Sequence, residues 1–206
     1  MHFDYSLPHC NTFGIAARAR QLVDIVDAGQ LAAILADPAL AALPRLVLGG
    51  GSNLLFTRDF DGLVLRMAIL GKEIVGKADG CTLVRAGAGE NWHGFVQWTL
   101  QQGLGGMENL SLIPGTVGAS PIQNIGAYGA EIKDTFHSLT AFDSATGSLR
   151  AMSAPDCRFG YRDSIFKHPQ GAGLIIVDVT FALPARPKPC APDWAGVLMC
   201  LNTESR

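Results

Sequence analysis

Three consecutive glycines separate two apolar stretches in LVLGGGSNLLF, residues 46–56. Successive glycines lose much conformational freedom on folding, so such a turn requires positive φ angles or a close approach to its backbone. The residue types alone favour a tight turn between two strands. The alternative is an anion-binding loop whose backbone N–H groups converge on a phosphate, with Ser52 and Asn53 as further donors.

The two common phosphate-binding loops do not match this stretch. A P-loop closes with Gly-Lys-Ser/Thr, whereas Ser52, Asn53 and Leu54 follow the glycines here. A Rossmann fingerprint needs a third small residue and a helix behind the glycines, whereas the next stretch, NLLFTRDFDGLVLRM, is typical of extended chain. If the turn binds phosphate, it does so in another fold.

Composition limits the class of partner. The chain has 206 residues, 48% of them apolar and 17% charged, with a formal net charge of −2, which is typical of a soluble globular protein with no nucleic-acid-binding patch. The longest apolar runs are too short to span a bilayer, and the amino terminus lacks the pattern of a secretion signal. The five cysteines lie far apart without metal-ligand spacing. We expect a cytoplasmic protein with a small-molecule partner and no metal, nucleic-acid or membrane partner.

The chain begins with a β-α-β pattern. RQLVDIV and PRLVLGG are strand-like, and the stretch DAGQLAAILAD between them predicts a helix capped by Asp27. The glycine turn therefore lies at the carboxyl end of a strand, where open α/β folds bind ligands. KEIVGK and CTLVRAG then predict an antiparallel pair, so a second lobe begins near Gly71. A helix follows, with Trp92, Phe95, Val96, Thr99 and Leu100 on one face and Gly103 at its end.

Residues 103–134 contain many small residues and little periodicity. Irregular segments of this length inside a compact domain are usually functional. Small residues allow a backbone to lie flat against a planar ligand, whereas the alternative, a helix-packing segment, conflicts with Pro114 and Pro121. Beyond it, residues 135–154 predict a hairpin and GLIIVDVTFALP predicts a buried strand.

Four motifs in this order resemble the family of bacterial UDP-N-acetylenolpyruvoylglucosamine reductases. They are NTFGIAARA, LGGGSNLLF, IPGTVGASPIQNIGAYGAEIKD and GYRDSIFK, and the resemblance covers roughly residues 5–184. It implies an α+β fold, namely a two-subdomain FAD-binding lobe of the vanillyl-alcohol-oxidase (PCMH) type. The FAD-binding domain would span residues 15–185, with subdomain 1 at about 1–70 and subdomain 2 at about 71–184.

The resemblance also implies the site residues. The FAD pyrophosphate would be bound by the glycine turn, that is by Gly49, Gly50, Gly51, Ser52 and Asn53. The isoalloxazine ring would lie on a bed made of Pro114, Gly115, Thr116, Gly118, Ala119, Ser120, Gln123, Ile125 and Gly126. The flavin would be non-covalent, because the histidine that attaches it in some relatives of this fold is not found in the glycine turn. Arg162 would be the catalytic residue that binds the substrate carboxylate, with Tyr161 beside it.

The activity implied is the FAD-dependent, NADPH-using reduction of the enolpyruvyl group of UDP-N-acetylenolpyruvoylglucosamine to UDP-N-acetylmuramate, in peptidoglycan synthesis. The serine proton donor and the carboxyl-terminal glutamate of the family have no counterpart in this sequence, and residues 185–206 diverge from the family. We therefore expect a truncated chain without the substrate-binding domain and of doubtful activity. A non-catalytic FAD-binding fragment, or a flavin oxidase of another substrate, is the alternative.

Overall fold

The computed structural model describes residues 1–185. Residues up to 67 form a four-stranded sheet with β1 (His2–Ser6), β2 (Arg18–Ile25), β3 (Arg45–Leu48) and β4 (Phe60–Met67) in the order β1-β2-β4-β3. Strand β4 pairs in parallel with both β2 and β3, whereas β1 is antiparallel to β2. Helices α1 (Ala28–Ala36) and α2 (Pro38–Ala41) lie in the connection from β2 to β3.

Burial explains this first sheet. Leu63, Val64 and Leu65 are fully buried in succession, which is typical of a central strand covered on both faces. Helix α1 begins after Asp27, whose carboxylate accepts a hydrogen bond from the Gln30 amide at 2.7 Å. The predicted β-α-β pattern and its cap are therefore confirmed. Its two strands do not pair with each other, because β4 lies between them.

Residues 72–183 form the second sheet. Its strands are β5 (Lys72–Ala78), β6 (Cys81–Gly87), β9 (Phe136–Asp143), β10 (Ser148–Ser153) and β11 (Leu174–Leu183), antiparallel in the order β10-β9-β11-β6-β5. Between β6 and β9 lie α3 (Trp92–Gln101) and a two-residue ladder of β7 (Gly126–Ala127) with β8 (Ala130–Glu131), and α4 (Ala154–Cys157) follows β10. The predicted antiparallel pair, hairpin and final strand are confirmed.

Helix α3 packs its aromatic face on the second sheet. Trp92 and Phe95 are buried against Phe181 of β11, with ring centroids 5.9 and 5.4 Å from the Phe181 ring. The helix ends before Gly103, which has a φ of +72°. The predicted face is confirmed for Trp92, Phe95, Val96 and Thr99, whereas Leu100 is only partly buried.

The two sheets are in direct contact. Leu65 of β4 shares one buried hydrophobic cluster with Phe142 of β9 and Ile175 of β11. A Cβ added at Gly87 would lie 2.4 Å from the Ile69 carbonyl oxygen, so the connection between the sheets lies directly on β6. No helix within residues 1–185 is long and apolar enough to cross a bilayer. Apart from residue 185, the predicted divergent tail lies outside the described residues.

Candidate cofactor-binding site

A cleft of about 390 Å³ opens between the end of β3 and the segment that follows α3. It is lined by Leu46, Val47, Leu48, Gly49, Gly50, Gly51, Ser52, Asn53, Leu54, Trp92, Ile113, Pro114, Gly115, Thr116, Ala119, Ser120, Ile122, Gln123 and Ile125. All the predicted cofactor-binding residues except Gly118 and Gly126 are among them. The volume is in the ordinary range of small-molecule sites.

The three glycines of the turn are needed for different reasons. A Cβ added at Gly49 would lie 2.7 Å from Thr116 Oγ1, and one at Gly50 would lie 3.1 Å from Gly115 Cα. Gly51 has a φ of +65°, and its added Cβ would lie 2.0 Å from the Cys10 carbonyl oxygen. The turn thus combines a close approach to the bed with one left-handed residue.

A loop near the amino terminus supports this turn from behind. The buried Asn11 donates through its side-chain amide to the Leu7 and Ile15 carbonyls at 2.9 and 3.2 Å, and it accepts from the Ile15 amide at 3.0 Å. The Thr12 amide donates to the Gly51 carbonyl at 3.2 Å. The NTFG motif therefore shapes the glycine turn, a role that the sequence analysis did not assign to it.

The bed is fixed by backbone hydrogen bonds to the segment that leads into α3. The Gly115 carbonyl accepts from the Trp92 amide at 3.1 Å, and the Gly118 amide donates to the Ala88 carbonyl at 2.9 Å. A Cβ added at Gly118 would lie 2.5 Å from the Ala88 Cβ. Gly118 therefore allows the bed to pack on this segment and does not line the cleft.

The polar groups of the cleft are neutral, and one of them is unsatisfied. Ser52 Oγ donates to the Pro114 carbonyl at 3.2 Å, and Asn53 Nδ2 donates to Gln123 Oε1 at 3.3 Å, so the turn is hydrogen-bonded to the bed. Thr116 Oγ1 is buried and has no hydrogen-bond partner among residues 1–185. Leaving a buried hydroxyl unpaired costs about 1–3 kcal/mol, so Thr116 indicates a place where a ligand completes the structure.

A second cavity of about 280 Å³ adjoins the cleft, and Val47, Gly49, Thr116, Ala119 and Ile122 line both. Its remaining lining is Met67, Ala88, Gly118, Phe166, Gly171, Ala172, Gly173, Leu174, Ile175 and Ile176. Apart from Gly118, this wall was not predicted from the sequence. The sequence feature that could have predicted this wall is the run of small residues immediately before β11. Together, the two spaces form an extended site suited to an elongated ligand.

Arg162, the predicted catalytic residue, and Tyr161, predicted with it to bind substrate, lie at the edge of the cleft. Tyr161 and Arg162 form the tip of a tight turn closed by hydrogen bonds between the backbones of Gly160 and Asp163, at 3.0 and 3.3 Å. Arg162 has a φ of +52°, and its guanidinium donates to the Gly126 carbonyl, next to the lining residue Ile125. Tyr161 is 84% exposed.

Because Gly126 has no side chain, there is room beside it for the Arg162 guanidinium. A Cβ added at Gly126 would lie 2.8 Å from Arg162 Nη1. Glu131 lies nearby, and its hydrogen bond with Lys133 holds the pKa of its carboxyl below the ordinary value, with a smaller contribution from the Arg162 charge. Ser164 is fully buried and donates to the Ile122 carbonyl at 2.6 Å, so its hydroxyl is not free to act as a proton donor.

A family model and curated relatives match the sequence of this chain. Residues 19–153 match the family model described as "FAD binding domain". UDP-N-acetylenolpyruvoylglucosamine reductases of Burkholderia mallei and Burkholderia pseudomallei are 59% identical to this chain over 181 residues, and that of Burkholderia orbicola is 58% identical. The matches cover 88% of this chain and 52% of each relative. The chain thus spans about half the length of these curated relatives.

Solved structures show the same fold. The UDP-N-acetylenolpyruvylglucosamine reductase of Thermus caldophilus is 27% identical, with a TM-score of 0.72 over 95% of this chain and 65% of that chain. A solvent-stable cholesterol oxidase at 16% identity has a TM-score of 0.58 over 82% of this chain and 36% of its own, which shows the fold alone. The predicted α+β, PCMH-type fold is confirmed. The chain belongs to the FAD-binding domain family and is a homologue of the UDP-N-acetylenolpyruvoylglucosamine reductases.

Proposed function

We propose that the cleft and its adjoining cavity bind one FAD non-covalently, as the cofactor-binding part of a reductase that acts on UDP-N-acetylenolpyruvoylglucosamine. The observation that carries this proposal is the buried Thr116 hydroxyl, which lies without a partner in the described structure where the glycine turn meets the bed. Membership of the FAD-binding domain family supports the choice of cofactor.

The residues present fit such a cofactor. The lining of the cleft contains no charged side chain within residues 1–185, so a diphosphate would be bound by N–H and O–H donors of the glycine turn and of Thr116. Residues of the bed are mostly small, which leaves its backbone open to a flat ring system. The Ser52 and Asn53 side chains already lie across the cleft, at hydrogen-bond distance from the bed.

Arg162 would bind the carboxylate of the enolpyruvyl group. A guanidinium can form two parallel hydrogen bonds with a carboxylate and remains charged at every relevant pH. The Gly126 carbonyl holds this guanidinium at the cleft edge, beside the bed on which the ring would lie. Bound FAD would supply hydride transfer from NADPH to the enolpyruvyl double bond.

The product of this reaction would be UDP-N-acetylmuramate, for peptidoglycan synthesis. UDP-sugars and NADPH are metabolites of the cytoplasm, and we place the reaction there. The part of the relatives that the match does not cover would contribute to the binding of the UDP-sugar.

The direct test is the flavin content of the purified chain. We expect yellow protein with one FAD per chain, released into the supernatant by acid precipitation because no covalent bond holds it. The absorbance spectrum and the fluorescence of the supernatant measure both properties. Folded protein that is colourless and takes up no added FAD would contradict the proposal, and flavin retained in the acid pellet would contradict the non-covalent mode.

A second test uses the unpaired hydroxyl. Thr116→Val should leave the free energy of unfolding of the FAD-free protein unchanged or raise it, because no internal hydrogen bond is lost. It should weaken FAD binding by about 10- to 100-fold, the effect of losing one hydrogen bond to a charged group. Chemical denaturation and titration with FAD give the two numbers.

Thr99→Val is the matched control for this test. The Thr99 hydroxyl is also buried, but it donates to the Val96 carbonyl at 2.8 Å within α3. This variant should lose stability by about 1 kcal/mol and keep its FAD affinity. If both variants behave alike, Thr116 has no special relation to the cofactor.

A further inference from the structure

Three hydrogen bonds fasten the Arg162 turn to the bed. Asn124 Nδ2 donates to the Gly160 carbonyl at 2.9 Å, Ser164 Oγ donates to the Ile122 carbonyl at 2.6 Å, and the Arg162 guanidinium donates to the Gly126 carbonyl. Their partners are 36 or 42 residues apart in the sequence. The arrangement joins residues 160–164 to residues 122–126 along the edge of the cleft.

Asn124 occupies the position where the bed, the turn and the segment just after β8 meet. Its side chain is fully buried, and its φ of +44° lies in the left-handed region, which asparagine tolerates better than most residues. While its Nδ2 donates to Gly160, its Oδ1 accepts from the Lys133 amide at 3.2 Å. Both ends of the amide are thus used, and each connects a different segment.

Ser164 fixes the other end of the turn. It is fully buried in extended conformation, with a φ of −161°, and its short hydrogen bond to Ile122 leaves the hydroxyl no freedom. Tyr161, Arg162 and Asp163 therefore lie between two fixed points. Because the backbone is already held, only the arginine side chain, with about 2 kcal/mol of rotamer entropy, has to be ordered when the guanidinium binds an anion.

We propose that Asn124 and Ser164 are positioning residues that hold the Arg162 turn against the bed and so present the guanidinium at the cleft edge. The use of this arrangement, the binding of a substrate carboxylate, rests on the proposed function. The fastening itself does not, and it can be measured in the chain without FAD or substrate.

Hydrogen–deuterium exchange of the Gly160 and Asp163 amides, which close the turn, provides the first measurement. Ser164→Ala and Asn124→Gly should each speed their exchange by about tenfold or more, the effect of losing one buried hydrogen bond. Ser164→Thr retains the hydroxyl and should restore slow exchange. Thr99→Val, which removes a similarly buried hydroxyl in α3, should leave the exchange of these two amides unchanged relative to that of the amides of the second sheet.

The guanidinium provides the second measurement. In the unmodified chain the Arg162 N–H nuclear magnetic resonance signals, assigned by their loss in Arg162→Lys, should be separate because hindered rotation keeps them distinct. In Ser164→Ala and Asn124→Gly they should merge, and in Ser164→Thr they should separate again. This readout follows the side chain itself and is not moved by a general loss of stability, as Thr99→Val will show.

The outcomes separate the two proposals. Unchanged exchange and unchanged guanidinium signals in folded Ser164→Ala would overturn the positioning role, even if Asn124→Gly fails to fold. Exchange that rises equally throughout the second sheet would also overturn it, because the residues would then act on general stability. A chain that binds no FAD would refute the proposed function and leave both measurements valid.

Discussion

Gly51→Ala is expected to lower the free energy of unfolding by more than about 4 kcal/mol, a loss that few single substitutions cause. The added Cβ would lie 2.0 Å from the Cys10 carbonyl oxygen and 2.8 Å from its carbon. Both are backbone atoms of a segment that Asn11 fixes by three hydrogen bonds. The segment cannot move away cheaply, so the turn and its support must separate.

Gly14→Ala is the matched control for this prediction. Gly14 has nearly the same φ, +63° against +65°, but no described atom lies within 4 Å of its added Cβ. It therefore has the left-handed strain alone, about 1–2 kcal/mol. Urea denaturation of both variants measures the difference. Equal losses of unfolding free energy in the two variants would show that the glycine turn does not pack against residues 10–11.

Local patterns explain why so much of the fold could be predicted from the sequence. The alternation and caps around β2, α1 and α3 depend on neighbours within a few residues, and the structure has these elements where they were predicted. The glycine turn was a harder case. Gly51 must be glycine partly because the Cys10 backbone, some 40 residues earlier in the chain, lies against it. The sequence alone therefore could not distinguish a strained turn from a close approach of another segment.

Long-range contacts account for what was missed. Strand β4 lies between β2 and β3 although it follows both in sequence, and no local sequence pattern predicts that order. The wall formed by residues 171–176 belongs to the site only because β11 passes through the middle of the second sheet. No local pattern connects Asn124 with Gly160 or Ser164 with Ile122, and these partners become visible only in the fold.

Arg162 was predicted through resemblance to a family, since a lone arginine beside an aspartate usually forms a surface ion pair. Its surroundings in the structure support a more specific role. The Asp163 carboxylate is hydrogen-bonded to His168 Nε2, at 2.8 Å, whereas the Arg162 guanidinium is turned towards the Gly126 carbonyl. Arg162 therefore remains beside the bed, with hydrogen-bond donors in addition to the one that Gly126 accepts.

Arg162→Ala should leave FAD affinity within about twofold, because Arg162 does not line the cleft. In a protein that joins residues 1–184 of this chain to the part of the Burkholderia mallei relative that the match does not cover, the same change should lower kcat/KM for the enolpyruvyl substrate by about 10²- to 10³-fold. That range corresponds to about 3–4 kcal/mol, the loss of two charge-assisted hydrogen bonds to one carboxylate.

Arg162→Lys distinguishes the effect of the positive charge from the effect of the planar guanidinium geometry. Lysine offers a single charged point without the planar fork, so it should recover only part of the lost kcat/KM. Gly126→Ala retains the arginine but adds a Cβ 2.7 Å from the Ala130 carbonyl oxygen and 2.8 Å from Arg162 Nη1. It should therefore displace both the β7–β8 ladder and the guanidinium, and lower kcat/KM in the same direction. Steady-state kinetics of the three variants against the unmutated joined protein provide the comparison. If Arg162→Ala keeps its turnover while the protein binds FAD, Arg162 holds the edge of the bed and does not bind the carboxylate.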